Sequence, residues 1–305
     1  MEKSYMLNNY KIIGNQFREK NQLDKALKYY LKGYNLYGGE NDPELLLELG
    51  LLFGEIGDLA QSEKILKRLT EIDPQNPSGY YSLAITLEEI GEIHRAIESY
   101  KKAIELDPKY YHAHFFLANI YDELGDKEKA IIHYKKTIEI EENYFWAYVN
   151  LGSIYEELGD YQQALELTEK ALKIDGTNYK ALFNLGVIHK KLGNIEKAKE
   201  YYLRSIEENP YYPYSYFNLA HIYGEGGDYL TGIKLLSEGI KKNKDIAVLY
   251  YNRSCYYALI GKKENALRDL ITATRLDEKL ISYMKKDKEL DSIRDMKAYK
   301  LLFEE

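Results

Sequence analysis

Cysteine is almost missing from the 305-residue chain: Cys255 stands alone and cannot close an internal disulfide, so nothing ties the fold to an oxidising compartment. Proline is scarce as well, with six residues, which suits a helical protein with regular stops. No run of about 18 apolar residues occurs, so no transmembrane helix and no membrane partner are expected. The opening residues Met1 to Asn9 lack the apolar core of a signal peptide, and a cytoplasmic location is the resulting expectation. A net charge of −7 and the want of any Lys/Arg cluster beyond short pairs argue against a phosphate-backbone binder, so no nucleic-acid partner is expected.

Catalytic and metal-binding patterns are missing too. The histidines His94, His112, His114, His133, His189 and His221 are scattered, and none makes the i, i+4 pair of a zinc helix. No glycine-rich phosphate loop is present, and Cys255 has no neighbouring His motif. No enzyme activity, no cofactor and no metal are therefore expected.

What the chain has is a period. Asn21, Gly57, Gly91, Gly125, Gly159, Gly193, Gly227 and Gly261 punctuate it, each 34 residues after the last from Gly57 onward; the first interval is 36, with two residues inserted around Tyr37 to Asp42. Placing these residues at position 15 starts the repeats near 7, 43, 77, 111, 145, 179, 213 and 247. Glycine there fits a left-handed residue ending one helix. The Asp or Asn that often follows (Asp58, Asp126, Asp160, Asn194, Asp228) can cap the next helix, and the short turn makes the two helices antiparallel neighbours. Positions 8 and 20 are small in every repeat, for example Gly50 with Ser62 and Ala118 with Ala130, which lets helix backbones approach closely. Positions 4, 7, 8 and 11 form the buried stripe, and Pro74, Pro108 and Pro210 at position 32 stop the second helix.

The frame Tyr148-x-x-Leu151-Gly152-x-x-Tyr155, Gly159-Asp160, Ala164 resembles the tetratricopeptide repeat, a helix–turn–helix unit. The resemblance covers residues 7–280 in eight copies. It implies an all-α solenoid, antiparallel helix pairs stacked into a superhelix, acting as a non-catalytic scaffold for protein or peptide partners. Residues 281–305, with Leu290, Ile293, Tyr299 and Leu302 apolar, are expected to form a C-terminal helical cap.

The same resemblance implies that positions 2, 5, 6, 9, 12 and 13 line a concave groove. Three stripes run along them. Asn150, Asn184, Asn218 and Asn252 at position 6 form an amide ladder able to pair with a peptide backbone. Leu47, Tyr81, Phe115, Val149, Phe183, Phe217 and Tyr251 at position 5, with Trp146 and Tyr214 at position 2, form an apolar stripe expected to be exposed for ligand contact. Glu55, Glu89, Glu123 and Glu157, joined by Glu88, Asp122, Glu156 and Glu225, form an acidic edge interrupted by Lys190 and Lys191. The partner expected from these stripes is an extended or helical segment carrying apolar and basic residues. The alternative is a structural subunit of a larger assembly, or a solenoid that associates with itself.

Overall fold

The computed structural model describes residues 2–36 and 38–303, so Tyr37 of the inserted turn and the last two residues of the expected cap lie outside the described residues. Helices follow one another in pairs: α1 (Glu2–Glu19) with α2 (Leu23–Tyr34), α3 (Pro43–Glu55) with α4 (Leu59–Ile72), α5 (Pro77–Ile90) with α6 (Ile93–Leu106), and α7 (Tyr111–Glu123) with α8 (Lys127–Ile140). The series continues with α9 (Phe145–Glu157) and α10 (Tyr161–Ile174), α11 (Tyr179–Lys191) and α12 (Ile195–Glu208), α13 (Pro213–Glu225) and α14 (Tyr229–Lys242), and α15 (Ala247–Leu259) and α16 (Lys263–Leu276). Short elements α17 (Ile281–Met284) and α18 (Lys297–Phe303) and a 3₁₀ stretch, Lys288–Ile293, end the chain. No strand occurs among the described residues. The chain divides into two compact units, one up to Ala147 and one from Tyr148.

The turns follow from local chemistry. Every position-15 glycine from Gly57 to Gly261 has φ between 76° and 90°, and Asn21 adopts φ 54°. The N–H groups of Gly159 and Asp160 bond the carbonyls of Glu156 (3.0 Å) and Tyr155 (2.9 Å), the closing pattern of a helix that ends on a left-handed residue. Asp58, Asp126, Asp160 and Asp228 then cap the next helix, each accepting from the backbone N–H three residues on. Asn194 does not cap; its amide faces the His189 ring instead.

Proline proves unnecessary for stopping the second helix. Helices ending at Ile140, Ile174 and Leu276 lack it, yet they stop at the same phase as those before Pro74, Pro108 and Pro210. At five of these helices the residue after the last turn supports the stop. Asp107, Glu141, Asp175, Asn209 and Asp277 each accept from the backbone N–H two residues later, a local turn that competes with continued helix.

Packing within a pair depends on position 8, position 20 and a third site that periodicity did not single out. Ser62 at position 20 donates to the carbonyl of Gly50 at position 8 (2.8 Å). Position 24 then lays a large side chain on the small one: a Cβ on Gly186 would stand 2.6 Å from the Tyr202 ring, and one on Gly50 would stand 2.6 Å from Leu66. Tyr30, Tyr100, Tyr134 and Tyr202 at this position are all fully buried.

Each unit also holds a polar pair that joins the two helices of one repeat. In the first unit, His114 and His133 join α7 to α8 with their Nδ1 atoms 2.9 Å apart. The Nε2 of His114 faces the Pro108 carbonyl (3.3 Å), so it carries that ring's proton and the Nδ1–H belongs to His133. Both rings are neutral, because burial depresses both pKa values, that of His133 to about 4. In the second unit, Arg253 donates twice to buried Asp269 (2.6 and 2.9 Å) and once to Ser237 (2.9 Å), between the rings of Tyr250 and Tyr257. That explains how arginine stands where other repeats have Leu or Ile.

The segment after α16 packs on α15 and α16. Met284, Leu290, Ile293, Tyr299 and Phe303 are buried in one cluster with Tyr251, Cys255, Tyr256 and Leu270. Arg294 ties the segment to itself, donating to the carbonyls of Lys285 (2.6 Å) and Asp287 (2.8 Å).

Candidate binding clefts

Positions 6, 9, 12 and 13 come together as clefts between the first helices of consecutive pairs. In the first unit, an open cleft of about 550 Å³ between α1 and α3 is lined by Asn15, Arg18, Tyr30, Glu48 and Glu55. Its neighbour between α3 and α5, of about 230 Å³, shares Glu55 and adds Gly50, Leu51, Gly54, Ser82, Ile85 and Glu89. In the second unit, a smaller cleft of about 90 Å³ lies between α9 and α11, walled by Ser153, Glu156, Phe183, Asn184 and Val187. All three occupy the same register of the repeat, because residues at 12 and 13 of one first helix face those at 6 and 9 of the next.

Cleft chemistry differs sharply. Arg18 fills much of the first cleft: its Nε lies 3.1 Å from both Glu55 oxygens, and its terminal nitrogens pair with Glu48 and Glu55. In the α3–α5 cleft the buried hydroxyls of Ser62 and Thr86 bond each other (2.9 Å), leaving the wall largely apolar. Further along the same face Glu88 is half-buried and accepts from the Tyr100 hydroxyl (2.9 Å). Burial raises its pKa, and the charges of Glu123 and Glu89 raise it further, against the pull of that hydrogen bond.

The apolar stripe is not continuous, which corrects the expectation that its residues are exposed. Phe115, Val149 and Tyr251 are buried, at 7%, 4% and 6% exposure. Phe115 packs edge-on to Tyr144 (4.9 Å), and the Tyr251 hydroxyl donates to Asp287 of the terminal segment. The physical reason is that the chain after the second helix folds back over position 5: Tyr144 follows α8 and covers Phe115, and Asp287 follows α16 and covers Tyr251. Leu47, Tyr81, Phe183 and Phe217 remain half-buried, and Trp146 and Tyr214 are exposed. Tyr81 sits in a ring cluster with Tyr110 (5.0 Å) and His112 (6.1 Å), and Phe183 stands edge-on to Tyr212 (5.2 Å).

The amide ladder is tied into the protein. Asn184 donates to the Ser153 hydroxyl (3.1 Å), Asn218 to the Tyr214 carbonyl (2.9 Å) and Asn252 to the Val248 carbonyl (2.8 Å), while Asn150 also has a partner. Since an amide has two N–H groups and a carbonyl, Asn184, Asn218 and Asn252 each hold one N–H internally. Glu55, Glu89, Glu123 and Glu157 are exposed, but Glu55 is bound by Arg18, Glu157 is partnered, and Glu225 pairs with Lys190 (3.0 Å).

Two arrangements escaped sequence reasoning. Position-24 tyrosines point at position 9 or 12 of their own pair: Tyr30 donates to Asn15 (2.6 Å) and Tyr100 to Glu88 (2.9 Å). In Tyr202 the hydroxyl is buried with no partner, because position 9 there is Val187. Comparing residues 24 and 9 within each repeat would have found it. The second is the trio Cys255, Asp287 and Glu289, whose ligand atoms lie within 4.8 Å of one another. The Asp287 carboxylate accepts from Tyr251 and from the Cys255 thiol (3.5 Å), and burial holds that thiol protonated. The trio reads as a hydrogen-bonded fastening of the terminal segment to α15.

Tetratricopeptide repeat profiles match residues 43–76, 81–143, 143–207, 201–234 and 247–280. The chain belongs to the tetratricopeptide repeat family. It is 31% identical to MamA in a crystal structure covering 58% of this chain and 96% of that one, with TM-score 0.50. A tetratricopeptide repeat protein from Parabacteroides merdae is 24% identical, covers 80% of this chain and 97% of its own, and gives TM-score 0.63. A chain of the APC/C hetero-tetramer Cut9–Hcn1 is 17% identical, covers 89% of this chain and 52% of its own, and gives TM-score 0.60. The last two show the fold alone. No curated protein sequence matches the chain. As a tetratricopeptide repeat protein it is an all-α solenoid of antiparallel helix pairs, and a non-catalytic protein-interaction scaffold. Among the described residues, no helix is long and apolar enough to cross a membrane.

Proposed function

We propose that the tetratricopeptide repeat chain binds an extended or helical segment of a partner protein on the face made by its first helices. Its repeats are read as eight units over 7–280, with the segment from 281 as the cap. The observation that carries the reading is the common register of the clefts. The α1–α3, α3–α5 and α9–α11 clefts all open beside the same repeat positions. A segment lying on such a face meets apolar walls and polar groups at a spacing set by the repeat. In the second unit Phe183 and Phe217 serve as apolar contacts with Tyr214 at the margin, and in the first unit Tyr81 and Trp146 offer apolar contacts of their own. Asn184 and Asn218 supply their remaining amide groups to a ligand backbone. The carboxylates Glu89, Glu123 and Glu157 favour a basic segment and repel an acidic one.

The test selects peptides from a random display library on the full chain and measures their affinity by calorimetry. The Phe183→Ala/Phe217→Ala and Asn184→Ala/Asn218→Ala variants are then compared with the parent. Each pair is expected to weaken peptides mapped to the second unit by about tenfold, roughly 1.4 kcal/mol. Unchanged affinity in both folded variants removes the reading.

A further inference from the structure

One ion-pair rule recurs between consecutive first helices. A cation at position 12 reaches the carboxylate at position 13 of the next first helix: Arg18 reaches Glu55 in the first unit, and Lys190 reaches Glu225 (3.0 Å) in the second. Between α3 and α5 the rule is half-kept. The acceptor Glu89 stands at position 13, exposed, but position 12 is Gly54. Where Arg18 also touches Glu48 at position 6, the next helix has the small Ser82. Gly54 and Ser82 together vacate the space an internal arginine would take, and that space is the cleft of about 230 Å³. It exceeds the ~150 Å³ cavity that admits benzene in an engineered protein, so a whole side chain fits.

We infer that the α3–α5 cleft accepts an arginine side chain from a partner segment, which takes the place that Arg18 takes one repeat earlier. The alkyl stem lies along Leu51 and Ile85, and the guanidinium meets Glu89, with Glu55 on the opposite wall. Arginine stems cover apolar surface in this way while the head stays with a carboxylate. Glu55 is already held by Arg18 on both oxygens, so Glu89 is the principal acceptor. The surrounding charge favours the same ligand. Burial and the neighbouring charges of Glu123 and Glu89 raise the pKa of Glu88, and only the Tyr100 hydroxyl is seen to donate to it. An added cation relieves that repulsion. This inference rests on the partner-binding reading above and names the chemistry recognised in the first unit.

Two synthetic ten-residue peptides of Gly and Ser, one with a central Leu-Arg and one with Leu-citrulline, are titrated into the full chain and followed by amide NMR shifts. Citrulline keeps the shape of arginine and removes its charge. The arginine peptide is expected to shift Gly50, Gly54 and Ile85 saturably, and the citrulline peptide to bind about tenfold more weakly. Glu89→Gln should remove most of that difference. Gly54→Arg should close the cleft from within; apart from its own helix backbone, only the Ser62 hydroxyl, at 3.7 Å, stands within 4 Å of a Cβ built there, so the variant has room to fold. Loss of the arginine peptide in Gly54→Arg, with thermal stability kept, supports the inference. Equal binding of the two peptides, or undiminished binding by Gly54→Arg, overturns it. Saturable shifts confined to Phe183, Asn184 and Val187 would also overturn it while leaving partner binding intact, and no saturable shift at any residue overturns it outright.

Discussion

The α3–α5 cleft of the first unit and the α9–α11 cleft of the second occupy one register of one repeat, yet about 230 Å³ is open in the first and about 90 Å³ in the second. Position 8 is glycine in both, Gly50 and Gly152, so the small-residue signature does not account for the difference. Position 12 differs, Gly54 against Glu156, and position 6 differs, Ser82 against Asn184, whose amide bridges to Ser153. Identical backbone frames thus present different sites, and the side chains contributed by two successive helices set the room. The buried polar groups contrast in the same way. A neutral His114–His133 pair serves the first unit, and an ionic Arg253–Asp269 pair serves the second.

The largest expected effect breaks that second contrast. Asp269 is 2% exposed, so Asp269→Ala leaves the Arg253 charge uncompensated in the interior and should cost about 3–5 kcal/mol in urea unfolding. A loss below about 1 kcal/mol would mean that solvent reaches Arg253 and that the two units do not differ as described.

Acid should single out the first unit. His133 has a folded pKa of about 4 against an ordinary 6.5, so between those values the folded form holds fewer protons than the unfolded form. The stability it supplies is full above pH 6.5 and is lost as pH falls towards 4. His114 shifts in the same direction; Lys136 and Glu139 act on it with opposite signs, and Lys101 lowers His133 further. Urea midpoints at pH 7.5 and 4.5 should separate less in a His114→Phe/His133→Leu variant than in the parent. An unchanged gap would assign the acid sensitivity elsewhere.

The smallest effect sharpens the comparison at position 24. Tyr30→Phe removes a hydroxyl bonded to Asn15 and should cost about 1 kcal/mol, whereas Tyr202→Phe removes a buried hydroxyl with no partner and should be neutral or slightly stabilising. Equal losses in thermal melts of both variants would show that Tyr202 has a bonded water.

Much of the fold was legible because its causes are local. A left-handed Gly159, a capping Asp160 and a small Gly152 act within a few residues of themselves, and a 34-residue count exposes them. Less of the candidate site was legible. Phe115 and Tyr251 read as exposed because a helix wheel assigns faces by angle alone, while the Tyr144 ring and Asp287 that cover them lie 29 and 36 residues away. Asn194 read as a cap from its residue type, but the His189 ring competes for its amide. His114 and His133 read as unrelated, since 19 residues and a turn separate them.

By itself, the sequence determined the helix–turn–helix period, the handed turns and the acceptors after five of the second helices, because each depends on backbone conformation over one or two turns. Tertiary structure alone decided which groove-facing residues stay open, that Arg18 closes one acidic cleft, and that Gly54 leaves the next one empty. A cleft is bounded by side chains from separate helices, and its volume is the remainder after all of them have packed.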